Sequence, residues 1–185
     1  MFERSEELQK IFREQNEKEL QQLAELMEMQ QALDMAIMKE REITVYPEDN
    51  IEIALFTELG ELMNEFPTIF KHWKTTAKDD REKGLIEYVD CLHFAISLLN
   101  YKADNAIKAL TAQLLETYDY SYELETDFST FDIHYLLQEI TTENAEIKIC
   151  HLFDLGKILG FTWDEIYNAY IDKNKVNYER LRGGY

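Results

Sequence analysis

The sequence is short of helix breakers and short of positive charge. Six glycines and two prolines in 185 residues leave few points where an element must stop, which argues against a turn-dense all-β chain. Cys91 and Cys150 are the only cysteines. One pair at this length is no disulfide scaffold, and both lie in apolar helical runs, so they read as buried thiols in a reducing compartment. Nineteen Lys and Arg stand against 37 Asp and Glu, a formal net charge of −18. Such a surface repels a DNA or RNA backbone and argues against general nucleic-acid binding. A small anion remains bindable if metal ions or a local group of Lys and Arg intervene. No apolar run reaches the length of a membrane span, and the N-terminus is too charged for a signal peptide. A cytoplasmic protein without a membrane partner is expected.

What is present favours helix: Leu, Glu, Lys, Gln and Ala dominate. The reading is an all-α helical bundle, one catalytic-sized domain over residues 1–185. Ile11, Phe12, Leu20, Leu23, Met27, Leu33 and Ile37 recur at helical spacing, predicting a long helix from 3 to about 42, broken at most once. A loop at 44–50 opens a second helix that runs to Phe66 and stops at Pro67. A short helical piece from Ile69 to Lys74, a charged loop at 78–83, and helices at 84–102 and 104–118 follow. Between Lys108 and Lys148 there is no Lys or Arg, but nine acids with Tyr and Phe interspersed. Residues 119–130 within it read as an irregular acidic insert, either solvated or a docking surface for a protein partner. Helices at 142–159 and 162–182 close the chain, with Gly160 as a C′ residue and Thr162 to Glu165 as a capping box.

Glu-x-x-Glu spacing means little in so acidic a chain. Glu58 and Glu61 differ from the other pairs because Leu55, Phe56, Leu59, Leu62, Met63 and Phe66 surround them, predicting a largely buried helix. In residues 85–99 the polar positions Glu87, Asp90, His93 and Ser97 form one stripe on an otherwise apolar helix. Buried carboxylates must be paired or metal-bound. Two facing helices with carboxylates at i and i+3 suit a hard divalent cation, Mg²⁺ rather than Zn²⁺. Spacing alone leaves pairing with distant Lys or Arg equally open. A di-iron bundle needs Glu-x-x-His motifs; the nearest approach here is Asp90-x-x-His93.

Five blocks in order resemble the all-α dimeric dUTPases of phage, bacterial and trypanosomatid type, within the all-α NTP pyrophosphatase group. They are Met29-Gln30-x-x-Leu33-Asp34, Glu58-Leu59-Gly60-Glu61-Leu62, His72-Trp73-Lys74, Glu87-x-x-Asp90-x-x-His93-Phe94, and Lys173-Asn174-x-x-Asn177-x-x-Arg180 with Gly184-Tyr185. One departure is Asp34, where the family often has Asn. The resemblance implies hydrolysis of dUTP to dUMP and pyrophosphate by a homodimer whose site is completed near the subunit interface; dUDP is left open as a second substrate. It implies that Glu58, Glu61, Glu87 and Asp90 hold Mg²⁺ and that Glu58 serves the attacking water. It places Gln30, Asp34, Trp73, His93 and Phe94 at the nucleobase and sugar, and Lys74, Lys173, Asn177 and Arg180 at the phosphates. Without it, Gln30 and Asp34 fit an exposed polar face, Trp73 hydrophobic packing, and the C-terminal bases solvated charge. The alternatives are a dCTP or broader nucleotide pyrophosphatase of the same fold, and a non-catalytic helical interaction protein.

Overall fold

The computed structural model describes residues 2–102, 110 and 130–184, with side chains in 17–102, 110, 130 and 132–184. Every regular element among the described residues is helical, as composition predicted. The helices are α1 (Phe2–Glu40), α2 (Glu48–Glu65), α3 (Pro67–Phe70), α4 (Arg81–Lys102), α5 (Thr130–Thr142), α6 (Ala145–Ile158) and α7 (Trp163–Arg182). The expected helix at 104–118 lies outside the described residues except Leu110, which is buried. The acidic insert lies outside them except Thr130.

The core forms around α4, which packs against α1, α2, α6 and α7. Its middle, from Tyr88 to Leu99, is buried on nearly every side. That burial turns the polar stripe read from sequence into a line of groups at the junctions between α4 and its neighbours. Leu23, Leu26 and Met27 of α1 and Leu55, Leu59 and Leu62 of α2 join the same core, while Leu33 is buried beside the cleft. The face of α2 with Ile53 and Phe56, expected to be covered, is instead exposed in this chain.

Three local features differ from the sequence reading. Pro67 does end α2, and it also opens α3 at its first position, where its fixed φ and missing N–H cost nothing. Helix α5 had no counterpart: Ile133, Leu136 and Ile140 carry its buried face, but the neighbouring acid-rich stretch masked the period. Helix α6 begins at Ala145 because the Asn144 side chain accepts from the Ile147 N–H. The capping box of Thr162 and Glu165 is formed as read, and such a cap stabilises a helix by about 1 kcal/mol. Lys148 is buried; its ammonium donates to the Ile140 carbonyl at 2.9 Å and lies 3.4 Å from Glu52, tying α5 and α6 to α2.

Candidate metal centre and adjoining cleft

The helical repeat puts Glu58 and Glu61 on one edge of α2, beside the face that buries Leu55, Leu59 and Leu62. Helix α4 brings Glu87 against that edge. One oxygen from each of the three carboxylates lies within 4.8 Å of the other two. The close approach depends on Gly84: a Cβ there would sit 2.3 Å from Cε2 of the buried Phe66 ring, at the end of α2.

Glu58 is half-buried, and its pKa is pushed up to about 7, first by loss of hydration and then by the charges of Asp90, Glu61 and Glu87. Glu87 is raised for the same leading reasons. Like charges held this close are relieved by a cation. Three hard oxygen donors at i, i+3 and across a helix junction are able to coordinate a divalent ion.

Asp90, expected in the same set, lies beside it but does not join the trio. It accepts a hydrogen bond from Lys173 of α7, and this ion pair is largely buried. Burial still raises the Asp90 carboxyl, opposed by Lys173 and more distantly by Arg180. Both open readings of the carboxylates are therefore represented: three cluster as a possible metal site, and one pairs with a base far along the chain.

A cleft of about 370 Å³ opens beside these groups, between α1, the start of α2, α4 and α7. Glu58 and Asp90 stand on its wall with Gln30, Asp34, His93, Phe94, Lys173, Asn177 and Arg180. Nine residues singled out in the sequence thus share one cavity. Gln30 is not the exposed polar residue its helix suggested; it is 4% exposed. Its Oε1 lies 2.6 Å from His93 Nδ1 and accepts from the Tyr170 hydroxyl at 2.8 Å, while its Nε2 donates to Asp34 at 2.7 Å. The His93 and Tyr170 rings stack with centroids 3.8 Å apart. Burial, reinforced by Lys173 and opposed by the Tyr170 backbone, pulls His93 down to about 3, so the ring is neutral. Its Nε2 is buried without a hydrogen-bond partner among the described residues.

Trp73 and Lys74 do not line this cleft. They follow α3, beyond the C-terminal end of α2, and Trp73 is 66% exposed, its ring edge-on to Phe70 and His72. Sequence reasoning missed Tyr46, Arg41 and Tyr170. Tyr46 and Arg41 line the cleft, and Tyr170 supports its floor. The available signal was the spacing of Tyr170, Lys173, Asn177 and Arg180, one face of a single helix.

A family model described as dUTPase (dUTPase_2) matches residues 22–185, a span that holds every group of the cluster and the cleft. Comparison with curated proteins finds no match. The extent of that match, on an all-α fold with a carboxylate cluster across two helices, carries one conclusion: the chain belongs to the dUTPase_2 family and is an enzyme of dUTPase-type hydrolysis.

Proposed function

We propose that the chain hydrolyses dUTP to dUMP and pyrophosphate, with Mg²⁺ held by Glu58, Glu61, Glu87 and Asp90. The observation that carries this reading is the meeting of the carboxylate cluster with the cleft at Glu58 and Asp90. Bound there, Mg²⁺ supplies positive charge against the triphosphate and acidifies water. Lys173, Asn177 and Arg180 form the phosphate wall, where charge-assisted hydrogen bonds favour anionic oxygens. Lys173, paired with Asp90 in the free protein, would exchange that carboxylate for a phosphate oxygen on substrate binding, and Asp90 would then be open to a cation. Glu58 is the residue common to the three-carboxylate cluster and the cleft wall, the place for a group that orients the attacking water and takes its proton.

Gln30, Asp34, His93 and Phe94 form the nucleobase and sugar end. A neutral His93 with an unpaired Nε2 accepts a hydrogen bond from the N3–H of uracil; cytosine offers only a lone pair at that position. Buried polar groups reject a base that leaves them unpaired, and this favours dUTP over the dCTP alternative.

The working unit in this reading is a homodimer. Ile53 and Phe56 are exposed apolar side chains on α2, and Trp73 and Lys74 do not line their own cleft. A second copy seated on that face of α2 offers a route for Trp73 to complete the neighbouring pocket. Two free, buried cysteines suit a reducing, cytoplasmic setting, and among the described residues no helix is long and apolar enough to cross a membrane.

Pyrophosphate release from dUTP, dCTP, dTTP and UTP, with Mg²⁺ and with excess EDTA, tests the proposal. Selective, EDTA-sensitive turnover of dUTP is expected. Equal turnover of dCTP removes the base assignment, and turnover in EDTA removes the metal.

A further inference from the structure

We propose that Asp34 is a positioning residue that sets the hydrogen-bond polarity of the cleft: through the Gln30 amide it keeps the His93 proton on Nδ1 and leaves Nε2 as an acceptor. A buried amide is nearly symmetric in shape, so Gln30 fits its site either way up. What breaks the tie is the group at one end. An ionised carboxylate has no proton to give, and Asp34, raised to about 6 by burial, is ionised at neutral pH. The amide must turn its Nε2 toward Asp34, where the contact is 2.7 Å. Oε1 is then fixed toward His93 and Tyr170, and both must donate to it, at 2.6 and 2.8 Å. A neutral imidazole that donates from Nδ1 carries its lone pair on Nε2.

The other side of Asp34 obeys the same rule. The Ser97 side chain hydrogen-bonds to Asp34, so its proton is committed there. Its oxygen, 2.6 Å from the Tyr46 hydroxyl, must accept from Tyr46. Side chains from α1, α4, α7 and the loop before α2 thus point their protons toward one carboxylate. Its removal leaves Gln30 free to invert, offering two donors to Tyr170 and His93 Nδ1 and moving the imidazole proton to Nε2.

Long-range ¹H–¹⁵N spectra of the full chain, labelled at histidine and free of substrate, read the tautomer of His93 directly. The wild type is expected to show Nδ1–H. Asp34→Leu, which fills the space but accepts nothing, is expected to shift His93 partly or wholly to Nε2–H. Asp34→Asn, whose amide can accept from Gln30 or donate to it, no longer breaks the tie and is expected to leave an Nδ1–H share between those of the wild type and Asp34→Leu. If Asp34→Leu fails to fold, Gln30→Met breaks the same relay and must produce the same shift. In turnover, which rests on the nucleobase reading above, the kcat/KM ratio of dUTP over dCTP is expected to fall about tenfold or more in Asp34→Leu and by less in Asp34→Asn. His93 remaining Nδ1–H in both Asp34→Leu and Gln30→Met overturns the proposal. A wild type that hydrolyses dCTP as readily as dUTP sinks the nucleobase reading instead and leaves the tautomer result standing.

Discussion

Glu58, Glu61 and Glu87 show what a carboxylate gains from its neighbours. None is remarkable by type in a chain with 37 acids; their mutual approach across two helices is what separates them. Glu61→Gln removes one ligand with almost no change of shape. It is expected to lower turnover a hundredfold or more while leaving the melting curve of the metal-free protein within a degree or two; normal turnover by the folded variant would remove Glu61 from the site. The pH dependence has a definite sign. The folded-state pKa of Glu58 is raised from 4.5 to about 7. Its contribution to stability is therefore full below 4.5 and lost as pH rises through 7. A cation binding at Glu58 competes with that proton below pH 7 and meets a bare carboxylate above it. The rise in Tm on adding Mg²⁺ is thus expected to be larger at pH 8 than at pH 6, and equal rises would disconnect Glu58 from metal binding.

Helix by helix, the elements most legible in the sequence were those with an apolar period and a chemical stop. Helix α7 has its capping box and lies within a residue of its predicted bounds, and α2, stopped by Pro67, ends within a residue of its predicted end but begins at Glu48, inside the predicted loop. Glu58 and Glu61 were legible as a pair because i, i+3 spacing survives folding unchanged, and Glu87 joins them across the packing of α4 on α2. The Asp90–Lys173 pair was not, because its partners are 83 positions apart and only the packing of α4 against α7 joins them. Read from its own helix alone, Gln30 fits an exposed face for a related reason: its polar side chain buries by finding three polar partners, two of them from distant helices. Packing also sets the reach between the two helices that carry the carboxylate cluster. Gly84→Ala would drive a methyl into the Phe66 ring, and overpacking of this kind costs about 1–3 kcal/mol. The expected result is a lower urea midpoint together with weaker Mg²⁺ affinity by calorimetry. A stable variant with unchanged affinity would show that α2 and α4 are set by other contacts.

At the scale of the whole molecule, the exposed side chains of Ile53 and Phe56 and the remote Trp73 belong together in the dimer reading. Phe56→Glu places charge on that face of α2 without touching the carboxylate cluster. In sedimentation velocity it is expected to shift the protein toward monomer, with the loss of activity partly recovered at high protein concentration. An unchanged dimer would move the interface to another face.

The spacing along α7 carries a last consequence. Tyr170 supports the end of the cleft at Gln30, and Lys173, Asn177 and Arg180 line the same cleft, all on one face of a single rigid rod; in the proposed reading these are its base floor and its phosphate wall. From first to last they span about 15 Å, at 1.5 Å per residue. The helix therefore acts as a ruler whose graduations are fixed by residue number. Substitutions along its outer face leave the ruler intact. One residue inserted between Ile171 and Asp172 would rotate everything beyond it by about 100° and advance it by 1.5 Å, turning Lys173 and Arg180 away from the cleft while Tyr170 stayed in place. Such a chain would keep its base floor and its carboxylates yet lose the distance between them and the phosphate wall. Helix length between Tyr170 and Arg180 should thus tolerate far less change than its composition.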